Sequence, residues 1–210
     1  MNNHKQEIFL YGAGGHAKVV IDIIEKENKY KIVFIVDDGP QRKGDHLLGY
    51  PIVGGRKELL DIRHRPSKAI VAIGDNQARK KVVEFLEQQD IEFVNTIHPT
   101  AIIAKNVFIG PGSVVMAMVA INPCTRIGNH VIVNTAASVD HDCIIEDFVH
   151  LAPGTTICGT VTVGNGTLIG AGSTIIPNVT IGKKVLVGAG TTIYKDIAND
   201  IKVIGPRAVF

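Results

Sequence analysis

The chain has 210 residues, and 22 Lys and Arg against 20 Asp and Glu give it a formal net charge of +2. Because the two signs are interspersed without a Lys/Arg run, the sequence does not indicate a nucleic-acid-binding protein. Its apolar runs are too short to span a bilayer, and its first seven residues are polar, unlike a signal peptide. Three cysteines without metal-like spacing suit a reducing compartment, so we expect a cytoplasmic protein without membrane insertion.

Strands and helices alternate in the first half of the chain. Buried strands are predicted at 8–11, 31–36, 68–73 and 91–94, with helices from the turn at 12–17 to about residue 28 and from about 77 to 88. Such alternation predicts a small parallel sheet that binds ligands at the carboxyl ends of its strands. We therefore expect an α/β Rossmann-like domain over residues 1–97.

The turn after the first strand contains Gly12-x-Gly14-x-x-Ala17, which matches the dinucleotide fingerprint in letters and in context. Its glycines allow backbone N–H groups and a helix N-terminus to approach a pyrophosphate. Asp37 ends the second strand, where an acidic side chain would hold a ribose. A nicotinamide-dependent oxidoreductase and a tight turn without ligand both remain open. The small size of the domain favours a single nucleotide diphosphate, such as a nucleotide-sugar.

A repeat of six residues runs from Ala101 to Asp196. The third residue of all sixteen blocks is Ile, Val or Leu, and the first is always Val, Ala, Ser, Thr or Cys. This period predicts short strands whose first and third side chains point inward, separated by turns, with three strands in each eighteen-residue coil. We expect a left-handed parallel β-helix over residues 98–210, ending in a short C-terminal tail.

Three histidines of the repeat are candidate functional residues. His141 is fifth in its block, at a corner between Asp140 and Asp142, where a carboxylate can orient an imidazole as a general base. His150 is second in its block and points outward on a strand, and His130 is last in its block. The three raise the possibility of a metal site, but their separations of eleven and nine residues disfavour one, and we expect no metal. A solvated turn histidine is the plain alternative for His141.

Small residues recur every eighteen positions at one corner of the predicted prism. Pro153, Ala171 and Ala189 should lie above one another, each followed by a glycine. This column would form a shallow groove in which an extended ligand can bind backbone groups. The alternative is that small residues simply suit corners.

Five segments together resemble one branch of the hexapeptide-repeat acyltransferases. They are YGAGGHAKVV at 11–20, VDDG at 36–39, IVAIGDNQAR at 70–79, VNTIHPTA at 94–101 and NTAASVDHDCIIEDFVHLAPG at 134–154. The branch contains bacterial sugar O-acyltransferases of the sialic-acid acetylating type and nucleotide-aminosugar N-acetyltransferases. The resemblance implies a homotrimer with active sites between neighbouring prisms, acetyl-CoA as donor and a nucleotide-sugar as acceptor.

The resemblance also assigns residues. It implies that His141 is the general base and that Asp142 raises its basicity, with Glu as the alternative acid at this position in N-acetylating relatives. His150, Ala171 and Ala189 match acetyl-CoA contacts. The nucleotide-sugar contacts that it implies are Gly14, Gly15, His16, Asp37 and Asp38.

We therefore expect an acetyl-CoA-dependent N-acetyltransferase that acts on a nucleotide-activated amino sugar, such as a UDP- or GDP-linked 4-amino sugar, for polysaccharide or glycan synthesis. O-acetylation of sialic acid or a related sugar, an NAD-dependent oxidoreductase and a non-catalytic scaffold are the alternatives.

Overall fold

The computed structural model describes residues 5–39 and 43–205, and the chain divides into two compact units, 1–99 and 100–210. The first unit is an α/β domain and the second is a prism of stacked parallel strands. Both parts of the predicted fold class are confirmed.

The N-terminal unit contains one six-stranded sheet in the order β3-β4-β2-β1-β5-β6. All neighbouring strands are parallel except β3 and β4, which form an antiparallel hairpin. The elements are β1 (Gln6–Tyr11), α1 (Gly15–Glu27), β2 (Tyr30–Val36), β3 (His46–Leu47), β4 (Tyr50–Gly54), α2 (Arg56–Asp61), β5 (Lys68–Val71), α3 (Asn76–Glu87), β6 (Glu92–Phe93) and β7 (Thr96–Ile97).

The central strands form as the sequence predicts because β1, β2 and β5 are apolar runs buried in the sheet. Several boundaries differ from the prediction, and β1 starts two residues earlier than expected, at Gln6. Helix α1 starts inside the glycine-rich turn, at Gly15, and β5 ends at Val71, two residues earlier than expected. The hairpin β3–β4 and helix α2 were not predicted. Their segments are short and partly polar, so they show neither the helical nor the strand period of apolar residues clearly.

The prism contains three sheets, one for each face. Within residues 100–210, the first contains β10 (Val114–Val115), β13 (Ile132–Val133), β16 (His150–Leu151), β19 (Leu168–Ile169), β22 (Leu186–Val187) and β24 (Lys202–Val203). The second consists of β8 (Ile102–Ile103), β11 (Ala120–Ile121), β14 (Ser138–Val139), β17 (Thr156–Ile157), β20 (Thr174–Ile175) and β23 (Thr192–Ile193). The third consists of β9 (Phe108–Ile109), β12 (Arg126–Ile127), β15 (Ile144–Ile145), β18 (Thr162–Val163) and β21 (Thr180–Ile181).

In the pairings among strands β8 to β23, each residue pairs with the residue eighteen positions further along the chain, as in Ser138↔Thr156. From the second coil onward, the first and third residues of each block are buried, which confirms the inner apolar stack. Residues 197–203, expected in the tail, continue the prism. Ile197 bridges to Ile181, and β24 pairs with β22.

The corners share one backbone feature. Every sixth residue from Asn106 to Gly190 has a positive φ, between 53° and 74°, whether or not it is glycine. The left-handed conformation turns the chain from one face to the next. Asp142 is one of these residues, with φ 59°. Its side chain direction is therefore set by the fold of the corner.

Buried hydroxyls connect consecutive coils from inside. Ser113, Thr125, Thr167 and Ser173 each donate a hydrogen bond to a carbonyl fifteen residues on, at 2.6–2.9 Å. Each also accepts one from the N–H group eighteen residues on, at 3.0–3.2 Å. The hydroxyls of these four residues are thus satisfied without solvent, which is the condition for burying them.

Candidate active site

His141 and Asp142 form an exposed pair on one corner of the prism. The Nδ1 atom of His141 lies 2.8 Å from Oδ2 of Asp142. The two side chains are 56% and 58% exposed, so a substrate can reach them. With Nδ1–H donating to the carboxylate, Nε2 carries the lone pair that can accept a proton.

Two carboxylates make this imidazole more basic. The hydrogen bond that His141 donates to Asp142 is the main cause that raises the pKa of His141, and the negative charge of Asp140 adds to it. Asp140 is held in place by Asn122, whose Nδ2 donates to it at 2.7 Å, and by the His141 N–H group at 2.9 Å. These two bonds lower the pKa of Asp140, which keeps it ionised beside the histidine.

Thr125 fixes the same corner from inside the prism. Its hydroxyl donates to the Asp140 carbonyl at 2.6 Å and accepts from the Cys143 N–H group at 3.2 Å. The chain is therefore held on both sides of His141 and Asp142. Neither Asn122 nor Thr125 was singled out in the sequence, although both precede the corner by about one coil and the eighteen-residue period points to them.

The column of small corner residues is present. The N–H group of Gly172 donates to Pro153 at 2.9 Å, and that of Gly190 donates to Ala171 at 2.8 Å, so the three corners stack directly. Ala171 and Ala189 are exposed, and a Cβ atom added at either glycine would meet nothing within 4 Å. Among the described residues, the N–H groups of Ala171 and Ala189 donate to no acceptor within the protein. The corner thus presents open space and backbone donors to a ligand.

His150 lies half-buried on β16 and contacts a residue that the sequence analysis missed. Its Nε2 atom is 3.2 Å from Nδ2 of Asn134, which lies sixteen residues earlier in the chain. The side-chain oxygen Oδ1 of Asn134 accepts from the Thr135 N–H group at 2.8 Å. Because that bond orients the Asn134 amide, Asn134 in turn fixes the position of the His150 ring.

The N-terminal unit carries a cavity of about 530 Å³ at the carboxyl ends of β1, β2 and β5. Gly14, Gly15, His16, Asp37 and Asp38 all line it. No side chain caps the first turn of α1, and no acidic residue lies in that turn. The helix N-terminus is therefore available to an anionic group.

Gly12 allows the first turn of the cavity to form. Its φ is 111°, and a Cβ atom there would lie 2.8 Å from the Ala72 carbonyl oxygen. Asp37 accepts from the Ala13 N–H group at 2.6 Å and from the Gly39 N–H group at 2.8 Å. Asp37 thus holds two loops of the cavity together in addition to facing it.

Asp38 is bound to two residues on the cavity wall. It accepts from the Tyr11 hydroxyl at 2.7 Å and from Nε of Arg56 at 3.2 Å. Burial and the Asp38 carboxylate raise the pKa of Tyr11, so its hydroxyl stays protonated as a donor. Arg56 also lies 4.9 Å from the centre of the Phe85 ring. Arg56 begins a helix that the sequence did not predict, so its place in the cavity was missed.

Arg79 supports the opposite wall of the cavity. It is 1% exposed and donates to the carbonyls of Ile73 and Gly74 at 3.0 and 3.1 Å and to Asn76 at 2.8 Å. Burial lowers the pKa of Arg79 to about 10, which still leaves it charged at neutral pH. Its guanidinium therefore fixes residues 73–76, two of which line the cavity.

The described residues contain no group of three or more His, Cys, Asp and Glu side chains that could hold a metal ion. His130 is instead packed in the prism wall, with its ring stacked on Phe148 at 5.1 Å between centroids. In the part of the chain that the structure describes, no helix is long and apolar enough to cross a membrane.

The fold and the corner histidine define a hexapeptide-repeat acyltransferase with an added α/β domain. Two family models match the chain: the PglD N-terminal domain over residues 7–86 and the bacterial transferase hexapeptide (six repeats) over residues 160–195. GDP-perosamine N-acetyltransferase from Escherichia coli O157:H7 is 28% identical over 168 residues, which cover 77% of this chain and 74% of that protein. UDP-N-acetylbacillosamine N-acetyltransferase from Bacillus subtilis (strain 168) is 33% identical over 114 residues, 53% of this chain and 52% of that protein.

Solved structures match over nearly the whole length. A histidine variant of perosamine N-acetyltransferase from Caulobacter crescentus, in complex with CoA and GDP-perosamine, is 39% identical with a TM-score of 0.90, covering 95% of this chain and 93% of that chain. The acetyltransferase domain of PglB from Neisseria gonorrhoeae FA1090, in complex with acetyl coenzyme A, is 33% identical with a TM-score of 0.87, covering 96% and 97%. The chain belongs to the sugar acyltransferase family, with a PglD-type N-terminal domain followed by hexapeptide repeats.

Proposed function

We propose that the chain is an acetyl-CoA-dependent N-acetyltransferase that acts on the amino group of a nucleotide-activated amino sugar. The single observation that carries this proposal is the exposed His141–Asp142 pair, 2.8 Å apart, on the prism of a chain 39% identical to perosamine N-acetyltransferase. The curated relatives act on a GDP-linked and a UDP-linked sugar. We assign this chain the same substrate class.

The N-terminal cavity would hold the nucleotide diphosphate. Its support is the open first turn of α1, together with the positive side chains of Arg56 and Lys81 at the cavity wall. Gly14 and Gly15 present backbone without obstruction, since a Cβ atom at either would meet nothing within 4 Å. Asp37 and Asp38 face the same space and would accept hydrogen bonds from hydroxyl or base N–H groups of the nucleotide.

The corner column would hold the donor. The pantetheine arm of acetyl-CoA is extended and carries amide groups, which suits a groove with open space and backbone donors. Ala171 and Ala189 supply those donors, and His150 supplies a ring nitrogen positioned by Asn134.

The reaction would proceed by direct transfer. The sugar amine attacks the thioester carbonyl carbon as Nε2 of His141 accepts the amine proton. The carbonyl π electrons move to the oxygen, and backbone N–H groups stabilise that oxyanion. When the tetrahedral intermediate collapses, the C–S bond breaks and the imidazolium protonates the departing CoA thiolate. Asp142 stabilises the imidazolium between these steps.

A homotrimer with active sites between neighbouring prisms completes this proposal. Apolar side chains on outward strand positions support it, since Ile144 is 46% and Leu186 41% exposed in the single chain. Exposed aliphatic groups at regular strand positions suit burial against another prism. Light scattering of the purified protein tests the trimer. The three unpaired cysteines support a cytoplasmic location.

A thiol-release assay tests the function. Acetyl-CoA is offered with UDP-, GDP- and dTDP-linked 4-amino sugars, with free sialic acid, or with buffer alone. We expect turnover on one nucleotide-linked amino sugar, whereas turnover on sialic acid alone would replace N-acetylation by O-acetylation.

His141→Ala is expected to lower the rate by roughly 10²–10⁴-fold, the usual contribution of a positioned general base. His64→Ala removes another exposed histidine, in the N-terminal unit, and should leave the rate unchanged. Full activity of His141→Ala would remove His141 from the mechanism.

A further inference from the structure

Gly159 lies directly against the His141 imidazole, one coil further along the prism. The two residues share the fifth position of their blocks, eighteen residues apart, and Pro123 and Pro177 occupy that position in the adjacent coils. A Cβ atom added at Gly159 would lie 2.7 Å from Cε1 and 2.8 Å from Nε2 of His141. Contacts this short cannot persist, so the imidazole occupies its position only because residue 159 has no side chain.

The backbone at Gly159 is held in place on both sides. The Cys158 N–H group donates to the Ile175 carbonyl at 3.1 Å, and the Thr160 N–H group donates to the His141 carbonyl at 2.9 Å. The Gly159 carbonyl itself accepts from the Asn178 N–H group at 3.1 Å. A side chain at residue 159 would therefore displace the exposed imidazole, which is held by its bond to Asp142, before it displaced the strands.

Displacing the ring would affect both of its nitrogens. The Nδ1 atom would leave Asp142, to which it is hydrogen-bonded at 2.8 Å. The Nε2 atom, which would accept the substrate proton, lies beside the added methyl group. Since a misplacement of about 1 Å can cost about 10²-fold in rate, a shift of this kind should be visible in catalysis.

We propose that Gly159 is a positioning residue for His141. Its missing side chain provides the space in which the imidazole is oriented between Asp142 and the acceptor amine. This inference rests on the proposed role of His141 as the general base.

The test is a double-mutant cycle with Gly159→Ala and His141→Ala, measured as kcat/KM in the thiol-release assay. We expect Gly159→Ala alone to lower kcat/KM by about 10–10²-fold, mainly through kcat. In the His141→Ala background the same substitution should have no further effect. Pro177→Ala, one coil further in the same column, is the matched control and should retain wild-type activity.

Two readouts without turnover accompany the cycle. The Cε1 proton of His141 is titrated by NMR, and the pKa of His141 should fall in Gly159→Ala because the bond to Asp142 is weakened. The thermal midpoint is compared between Gly159→Ala and the double variant. If the methyl group clashes with the ring, removing the ring should restore any lost stability, and this comparison remains decisive if Gly159→Ala folds poorly.

The outcomes separate the two ideas. Absence of turnover on every nucleotide-linked amino sugar would overturn the proposed function, whereas full activity of His141→Ala would remove only His141 as its general base. Loss of activity in His141→Ala, with wild-type kcat/KM and an unchanged His141 titration in Gly159→Ala, would overturn only the role of Gly159. An equal loss from Gly159→Ala in both backgrounds would also overturn it, because the glycine would then act independently of His141.

Discussion

Arg79→Met tests whether a buried guanidinium builds the wall of the N-terminal cavity. Methionine keeps most of the side-chain volume but removes the three hydrogen bonds to Ile73, Gly74 and Asn76. A hydrogen bond from a charged group contributes about 1.5–3 kcal/mol, so the sum over three sets an upper bound of about 5–9 kcal/mol. Removing the Arg79 cation from water costs several kcal/mol, which offsets part of this stabilisation. The net loss in the free energy of unfolding should therefore be about 2–4 kcal/mol.

Urea unfolding of the purified variant measures this loss as a shift of the midpoint at constant slope. Because residues 73 and 74 line the cavity, the KM for the nucleotide-sugar should also rise, whereas the KM for acetyl-CoA should not. Lys80→Met is the matched control. Its ion pair with Glu84, at 3.9 Å, is exposed, and such pairs contribute about 0–1 kcal/mol. A loss below about 1 kcal/mol in Arg79→Met, equal to that of the control, would refute this account of the wall.

Three further predictions concern the proposed substrates and base. The pKa of His141 is raised above its ordinary value of 6.5, so the acidic limb of kcat/KM should lie above pH 6.5, and Asp142→Asn should move that limb to lower pH while reducing kcat/KM. Protonation of His141 also stabilises the fold, because its pKa is raised on folding. This stabilisation is fully present below the pKa of the unfolded chain and is lost as pH rises through the pKa of the folded protein. An acidic limb that lies at the same pH in Asp142→Asn as in the wild type would contradict the role of Asp142. Asp37→Ala should raise the KM for the nucleotide-sugar, and an unchanged value in steady-state kinetics would count against the cavity. Ala171→Leu fills the corner groove and should raise the KM for acetyl-CoA by about tenfold or more, as expected for a clash of about 1.4 kcal/mol. If CoA inhibits this variant as strongly as it inhibits the wild type, the groove is not the acetyl-CoA site.

The prism could be predicted because all sixteen six-residue blocks follow the same pattern. A first residue that is small or β-branched and a third that is aliphatic recur without a break, and the buried stack follows directly. The exposed corner position of His141 could be predicted because it is the fifth residue of its six-residue block. The left-handed backbone of non-glycine residues such as Phe148 and Lys184 did not, because these side chains do not favour that conformation and only the repeat imposes it.

The N-terminal cavity was predicted only in part. The glycine-rich turn and the acidic residues after β2 carry local signals, and both line the cavity. Tyr11 and Arg56 are brought together by the sheet across 45 residues of sequence, and no local pattern marks such a contact. Asp37 shows a second limit of the prediction from sequence. Its position suggested a ribose contact, but its carboxylate also binds two backbone N–H groups, which only the folded loops reveal.

The repeat also explains why the surroundings of the base can be found by arithmetic once one corner residue is known. Asn122 lies eighteen residues before Asp140, Thr125 lies eighteen before Cys143, and Gly159 lies eighteen after His141. Each of the three contacts the segment from 140 to 143 through its own coil. Inserting one residue between His141 and Gly159 would bring Cys158 opposite the imidazole and place a side chain where the ring lies. The length of the coil is therefore as much a requirement of the site as the identity of its residues.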